Sequence, residues 1–262
     1  MRASIQPPVV LIIAGNDPSG GAGLAADIQA VTALGAHPAP VVTALTVQDT
    51  VNAWRVEAVS PQLLVQQAEA VLADLPVAAI KLGLLANAAI GSAVAQLLRV
   101  HPGIPVVLDP VLVASGGAAL AEQDLIKVYL DGLLPLCTVI TPNAAESRRL
   151  APRAADAQAR AALLLKHGCR HVLIKGADED TAEVHNVLFS RGGTRQDFTW
   201  PRLPGKYHGS GCTLASALAA LLAQGQDVHE AAERAQRYAW ETLKHAWGLG
   251  KGQAIPNRQI NP

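Results

Sequence analysis

Short apolar runs at Val9 to Ala14, Val41 to Leu45, Ala78 to Leu82, Val106 to Leu108, Thr138 to Ile140 and His171 to Ile174 alternate with helical patterns. This alternation constrains the fold more than any other feature of the chain. Runs so short and so apolar suit strands buried on both faces of a parallel sheet. The intervening patterns predict helices over Gly23 to Leu34, Pro61 to Ala73, Ala88 to Val100, Gln123 to Leu134, Asn143 to Leu150 and Ala154 to His167. Such an order implies right-handed crossovers, and hence an α/β fold with helices on both faces of a central, mostly parallel sheet. Two runs between Val184 and Trp200 flank Arg191-Gly192-Gly193 and predict a small antiparallel hairpin at the sheet edge. The C-terminal third then reads as helical. No repeat or composition break divides the chain, so residues 1–262 are expected to form a single domain.

Charge and hydropathy narrow the partners. Lys and Arg number 21 against 21 Asp and Glu, a balance that gives no basic surface for nucleic acid or anionic lipid. Apolar residues make up 50% of the chain, yet the longest runs fall far short of the roughly 20 residues that span a bilayer. Neither nucleic acid nor a membrane is expected as a partner. Met1 to Pro8 reads as the lead-in to the first strand, without a cleavage site after its apolar run. Cys137, Cys169 and Cys212 are widely separated, which matches neither a zinc spacing nor a disulfide framework and points to a reducing cytoplasm.

Ligands of open α/β sheets bind beyond the carboxyl ends of the strands, and the polar clusters of this chain fall there. After the first strand comes Gly15-Asn16-Asp17-Pro18-Ser19-Gly20-Gly21-Ala22-Gly23, with Asp27 further on. This loop matches neither the dinucleotide fingerprint nor the nucleotide loop ending in Gly-Lys-Ser/Thr. Gln48, after the second strand, carries an amide able to donate to and accept from the edge of a heteroaromatic ring. Asp109-Pro110, Thr141-Pro142-Asn143 and Glu146 present carboxylates and an amide of the kind magnesium takes when it bridges phosphates. Asn143 and Glu146 also spell a helix capping box. Lys175-Gly176 places a cation at another strand end.

The segment His208-Gly209-Ser210-Gly211-Cys212-Thr213 runs straight into the apolar stretch Leu214 to Leu222 and so joins a glycine turn to a helix N-terminus. Free N–H groups and the positive end of the helix dipole make such a turn an anion site. Ser210 is the expected N-cap, and the helix end is expected to favour the Cys212 thiolate. Phosphoryl transfer needs an electrostatic cradle, a metal, a cation and a base, and these segments supply a candidate for each.

Taken in order, the Gly15 to Gly23 loop with Asp27, Thr43-Ala44-Leu45-Thr46-Val47-Gln48-Asp49-Thr50, Lys81-Leu82-Gly83-Leu84-Leu85, Asp109-Pro110-Val111, Thr141-Pro142-Asn143 with Glu146, Lys175-Gly176 and the His208 to Thr213 turn resemble the hydroxymethylpyrimidine/phosphomethylpyrimidine kinases of thiamine biosynthesis, members of the ribokinase-like superfamily. The likeness runs from about residue 9 to 258. It implies an ATP- and Mg2+-dependent kinase acting on 4-amino-5-hydroxymethyl-2-methylpyrimidine and, in most members, on its monophosphate. By position it implies that Gly15, Asp27, Gln48 and Leu84 contact the pyrimidine. Asp109, Asn143, Glu146 and Lys175 fall around the ATP phosphates, with Asp109 and Glu146 toward the metal. Gly209, Ser210 and Gly211 match the anion hole, and Cys212 the position where sugar kinases of the superfamily carry an aspartate base. Superfamily relatives are often dimers, which makes a homodimer the expected assembly.

The chain departs from the family pattern in three places. The loop Val111 to Gly117 is one residue shorter than usual, leaving the Ser115-Gly116-Gly117 amides and Lys206 as candidates for holding a second substrate phosphate. Leu84 stands where methionine is usual, and Tyr207 stands where a threonine commonly precedes the histidine. A pyridoxal or pyridoxine kinase is the nearest alternative, and a ligand-binding relative without catalysis is another.

Overall fold

In the computed structural model, which describes residues 6–112 and 123–260, the strand β1 (Val9–Asn16) is buried on both faces over its apolar run. Val9, Leu11 and Ile13 join one core, while Val10, Ile12 and Ala14 join the other. A period of two along one strand thus sets the two packed layers. The further strands are β2 (His37–Gln48), β3 (Ala53–Ala58), β4 (Val77–Leu82), β5 (Val106–Leu108), β6 (Val139–Ile140), β7 (His171–Ile174), β8 (Glu183–Ser190) and β9 (Arg195–Pro201). They form one sheet of order β3-β2-β1-β4-β5-β6-β7-β8-β9. From β2 to β7 all neighbours are parallel, as the alternating pattern predicts. The β8–β9 hairpin closes one edge in antiparallel pairing.

The other edge differs from the expectation. β3 pairs antiparallel with β2, and nothing in an apolar-run reading marks it, because its residues are largely exposed. Its turn is made by Asp49, whose Oδ1 accepts from the N–H groups of Val51 and Asn52, a side-chain mimic of a backbone turn.

α2 (Pro61–Asp74), α3 (Ala88–Val100), α4 (Gln123–Lys127), α5 (Ala144–Leu150) and α6 (Ala157–Lys166) cover one face, and α1 (Gly23–Ala33), α7 (Ser210–Ala223) and α8 (Val228–Lys244) the other. α2 has Ser60 as N-cap and Pro61 in its first turn, where a missing N–H costs nothing. α7 is apolar all round, and ten of its residues are buried; such a helix belongs inside, between the sheet and its neighbours α1 and α8. The helix predicted over Gln123 to Leu134 is only partly α. It passes into a wide π turn at Val128–Leu133 and a tight 3-10 turn at Leu134–Leu136. Pro135 lacks the N–H that α-winding needs, and Gly132 weakens it further. α6 starts at Ala157, after Ala154, because Asp156 caps it by accepting from the Ala159 N–H. The Ser115-Gly116-Gly117 loop lies outside the described residues.

Candidate active site

The parallel strands all end on one side, and there the chain forms an open cleft of about 200 Å³. Its lining comes from the strand ends and from the first turn of α7, including Gly15, Gln48, Leu84, Asp109, Asn143, Glu146, Lys175 and Gly209 to Cys212. The structure therefore brings together every sequence-predicted site residue among the described ones except Asp27 and Lys206.

The glycine turn is built by backbone conformation. Gly209, and not Ser210, is the N-cap of α7, with φ +75 and no side-chain cap. A Cβ at residue 209 would lie 2.0 Å from the Gly21 carbonyl oxygen, so this crossing of two segments admits only glycine. Ser210 is instead the first helical residue. No acceptor among the described residues takes the N–H groups of Ser210, Gly211 or Cys212, and all three residues face the cleft. A Cβ on Gly211 would come within 3.0 Å of Lys175 Nζ, so this glycine lets the helix end close on the cation. α5 offers a contrast. Its first amides are already taken by the Asp178 carboxylate, which accepts from Ala144 and Ala145, and by the Asn143–Glu146 capping box.

Beside α7 lies a charged group of three. Lys175 Nζ donates to Asp109 Oδ1 at 2.9 Å, and Thr141 Oγ1 donates to the same oxygen at 3.2 Å. Burial pulls the Lys175 ammonium down, but the charges of Asp109 and Glu146 outweigh it and hold the group protonated. Glu146 Oε2 accepts from the Asn143 N–H. Burial, aided by the charge of Asp109 and opposed by Lys175, pushes its carboxyl up to about 7. Each carboxylate keeps one oxygen free of protein donors among the described residues. Two crowded carboxylates with free oxygens fit a hard divalent cation that retains waters; no group of three or more His, Cys, Asp and Glu stands together among the described residues to make an all-protein cage.

Two further expectations need correction. Asp27 does not reach the cleft: it is fully buried. Its Oδ2 accepts from Lys81 Nζ at 2.7 Å and its Oδ1 from Ser216 Oγ at 2.7 Å. Lys81 is also fully buried yet lines the floor of the cleft. Burial disfavours both charges of this pair, but Asp27, with Cys212 and Asp109 beyond, holds the Lys81 ammonium charged. The second correction concerns Cys212, whose thiol is not pulled down by the helix end. Burial pushes it up to about 11; Lys81 opposes this, and the nearby charges of Asp27 and Asp109 add to it.

The opposite wall holds the ring-reading candidates. Leu84 packs against Gly15, where a Cβ would touch it at 2.9 Å, and it presents an apolar surface. Gln48 meets His208, with its side-chain nitrogen 2.9 Å from His208 Nε2. That imidazole nitrogen also lies 2.7 Å from Asp17 Oδ2, a contact that requires its proton. A nitrogen that already donates cannot accept from an amide NH2, so the Gln48 carbonyl must face His208 and its NH2 the cleft. Sequence reasoning assigned Asp17, His208 and Lys81 no role. Asp17 organises the glycine loop by accepting from the N–H groups of Ser19 and Ala22. Burial pushes its carboxyl up, but the His208 and Ser19 hydrogen bonds prevail and hold it low. An acid inside a glycine loop was the available signal. Lys206 is exposed and outside the lining.

Residues 17–257 match the family model described as phosphomethylpyrimidine kinase. The chain is 39% identical over 252 residues to the hydroxymethylpyrimidine/phosphomethylpyrimidine kinase of Synechococcus elongatus, covering 94% of this chain and 95% of that one. It is 39% identical over 261 residues to a thiamine biosynthesis bifunctional protein of Geobacter sulfurreducens, covering 98% of this chain and 53% of the longer protein. Among solved structures it superposes with TM-score 0.88 and 27% identity on a pyridoxal kinase from Staphylococcus aureus bound to AMP-PCP and pyridoxal, over 97% of this chain and 94% of that one. With matches of this extent behind the cleft geometry, the chain belongs to the phosphomethylpyrimidine kinase family.

Proposed function

We propose that this chain, as a single kinase domain, transfers the γ-phosphoryl group of ATP to the hydroxymethyl oxygen of 4-amino-5-hydroxymethyl-2-methylpyrimidine, and to the phosphate of the resulting monophosphate, for thiamine diphosphate synthesis. The observation that carries this reading is one cleft with α7 amides unpartnered among the described residues and Cys212 on one side and Gln48 and Leu84 on the other. Leu84 covers the ring face and Gln48 meets the ring edge. Cys212 takes the proton of the attacking hydroxyl, and the Gly209, Ser210 and Gly211 backbone stabilises charge growing on the phosphoryl oxygens. Lys175 lies along the phosphates, with Asn143 beside it. Asp109 and Glu146 would hold Mg2+, which supplies charge neutralisation between the phosphates. Asp27 acts through Lys81 and not on the ring.

A pyridoxal kinase is the second reading, favoured by the close superposition on the S. aureus enzyme. A non-catalytic relative is disfavoured by the presence of Asp109, Lys175 and Cys212 in one cleft. The test offers Mg-ATP with equal amounts of the pyrimidine alcohol and pyridoxal and resolves the products by mass. Pyrimidine mono- and diphosphate should dominate; pyridoxal phosphate in excess would transfer the assignment to the second reading.

A reducing cytoplasm suits the three free thiols, and no helix among the described residues is long and apolar enough to cross a membrane. We assign the expected homodimer to the outer face of the β2–β3 hairpin. There Leu45 and Val47 are more than half exposed, and the Arg55–Glu57 pair shares their side. Leu45→Glu should then reduce the sedimentation coefficient to that of a monomer. An unchanged value would remove this face from the assembly.

A further inference from the structure

Arg258 stands beyond every motif of the sequence and one residue past the family match, yet it is 1% exposed. Its guanidinium has no carboxylate in contact among the described residues. Nη2 donates to the Gly21 carbonyl at 2.6 Å, and Nε donates to Thr213 Oγ1 at 2.8 Å. Thr213 Oγ1 in turn donates to the Gly209 carbonyl at 2.9 Å. One side chain from the C-terminus thus grips the glycine loop after β1 and, through Thr213, the N-cap of α7. These are the two segments that would touch through any Cβ on Gly209. The preceding residues serve the same site. Ala254 exchanges backbone bonds with Lys206 and His208, and the Gln253 N–H donates to Thr50, in the hairpin turn that follows Gln48.

We propose that Arg258 is a positioning residue: the C-terminal segment acts as a strap that sets the spacing between the glycine loop and the anion-binding turn. A planar fork with fixed donor directions suits this task, because its bonds to two backbone segments define a distance that a single ammonium cannot. The consequence for turnover rests on the kinase reading above, but the consequence for the two segments does not.

The test compares wild type with Arg258→Met, Arg258→Lys and Thr213→Val, each far below its own melting temperature. Backbone hydrogen exchange should speed up by about tenfold or more at the bonded amides of Ser19 to Ala22 and of Thr213 together in Arg258→Met, with β1 unchanged, because local opening replaces the lost bonds. Thr213→Val, nearly isosteric, should reproduce the rise at residue 213 alone. In turnover, Arg258→Met should lose about 10–100-fold in kcat with KM for ATP little changed, as expected when reacting groups are misplaced and not unbound. Arg258→Lys should recover only part of this loss. Unchanged exchange in both segments would overturn the proposal, as would a kcat equal to wild type in folded Arg258→Met. Should Arg258→Met fail to fold, unchanged exchange in Thr213→Val alone overturns it. A wild type inactive on both alcohols would instead defeat the kinase reading and leave the exchange result to decide the strap.

Discussion

Cys212→Ala should lower kcat by about 10²–10⁴-fold, the usual worth of a positioned proton acceptor, and change KM for ATP little. The structure adds a pH signature to this expectation. With the thiol pushed up to about 11, the reactive thiolate is scarce at neutral pH, and its fraction climbs about tenfold per unit between pH 7 and 9. Wild-type kcat should climb with it, whereas the alanine variant should lack that slope. The measurement is turnover against pH for both proteins under saturating substrates. Near-normal turnover in the variant would remove Cys212 from proton transfer and leave the Gly209, Ser210 and Gly211 backbone as the catalytic element of the turn.

The Lys81–Asp27 pair carries the largest expected effect on stability. Both side chains are fully buried and 2.7 Å apart, so removing one partner strands a charge, at about 3–5 kcal/mol. Lys81→Met and Asp27→Leu should each be destabilised by this order, and their pH dependence should have opposite signs. In Lys81→Met, the lone Asp27 takes up a proton in the folded protein, and its folded pKa lies above the unfolded ~3.9. The folded state then binds more protons than the unfolded one. Stability therefore falls as pH rises from the unfolded value to the folded value.

In Asp27→Leu, the lone Lys81 loses its proton on folding, and its folded pKa lies below the unfolded ~10.4. The unfolded state now binds more protons, so stability climbs with pH between those two values, at up to about 1.4 kcal/mol per unit. Urea titrations at several pH values read both slopes, and the double variant Lys81→Met/Asp27→Leu should lose both. Flat profiles in the single variants would mean that neither charge is stranded. The pair also bears on catalysis, because Lys81 is a cation close enough to oppose the upward shift of Cys212. Alkylation of Cys212 at fixed pH should accordingly be slower in Lys81→Met.

Much of the architecture was legible because it rests on local periodicity. Val9 to Ala14 could only be a strand covered on both faces, and once several such runs alternate with helices, parallel pairing sends all their carboxyl ends to one side. Gly15, Asp109, Asn143 and Lys175 follow directly from that rule, since each stands at or just past the carboxyl end of a strand. The capping box at Asn143 and Glu146 was equally readable, because both of its bonds join residues three apart. Where local signals competed, the sequence was less informative. Ser210 is the better N-cap by propensity, but the contact between Gly209 and Gly21 fixes the left-handed residue one position earlier.

Sequence alone determined the order of elements, the edge on which the chemistry collects and the residue types available there, because these follow from spacing along the chain. Only the tertiary structure decided that Asp27 serves Lys81 across 54 positions, and that Arg258 holds Gly21 across 237. It also decided that Cys212 rests as a thiol. Each of these depends on which distant groups share a low-dielectric interior, where burial sets the cost of a charge and a partner's position decides whether that cost is met.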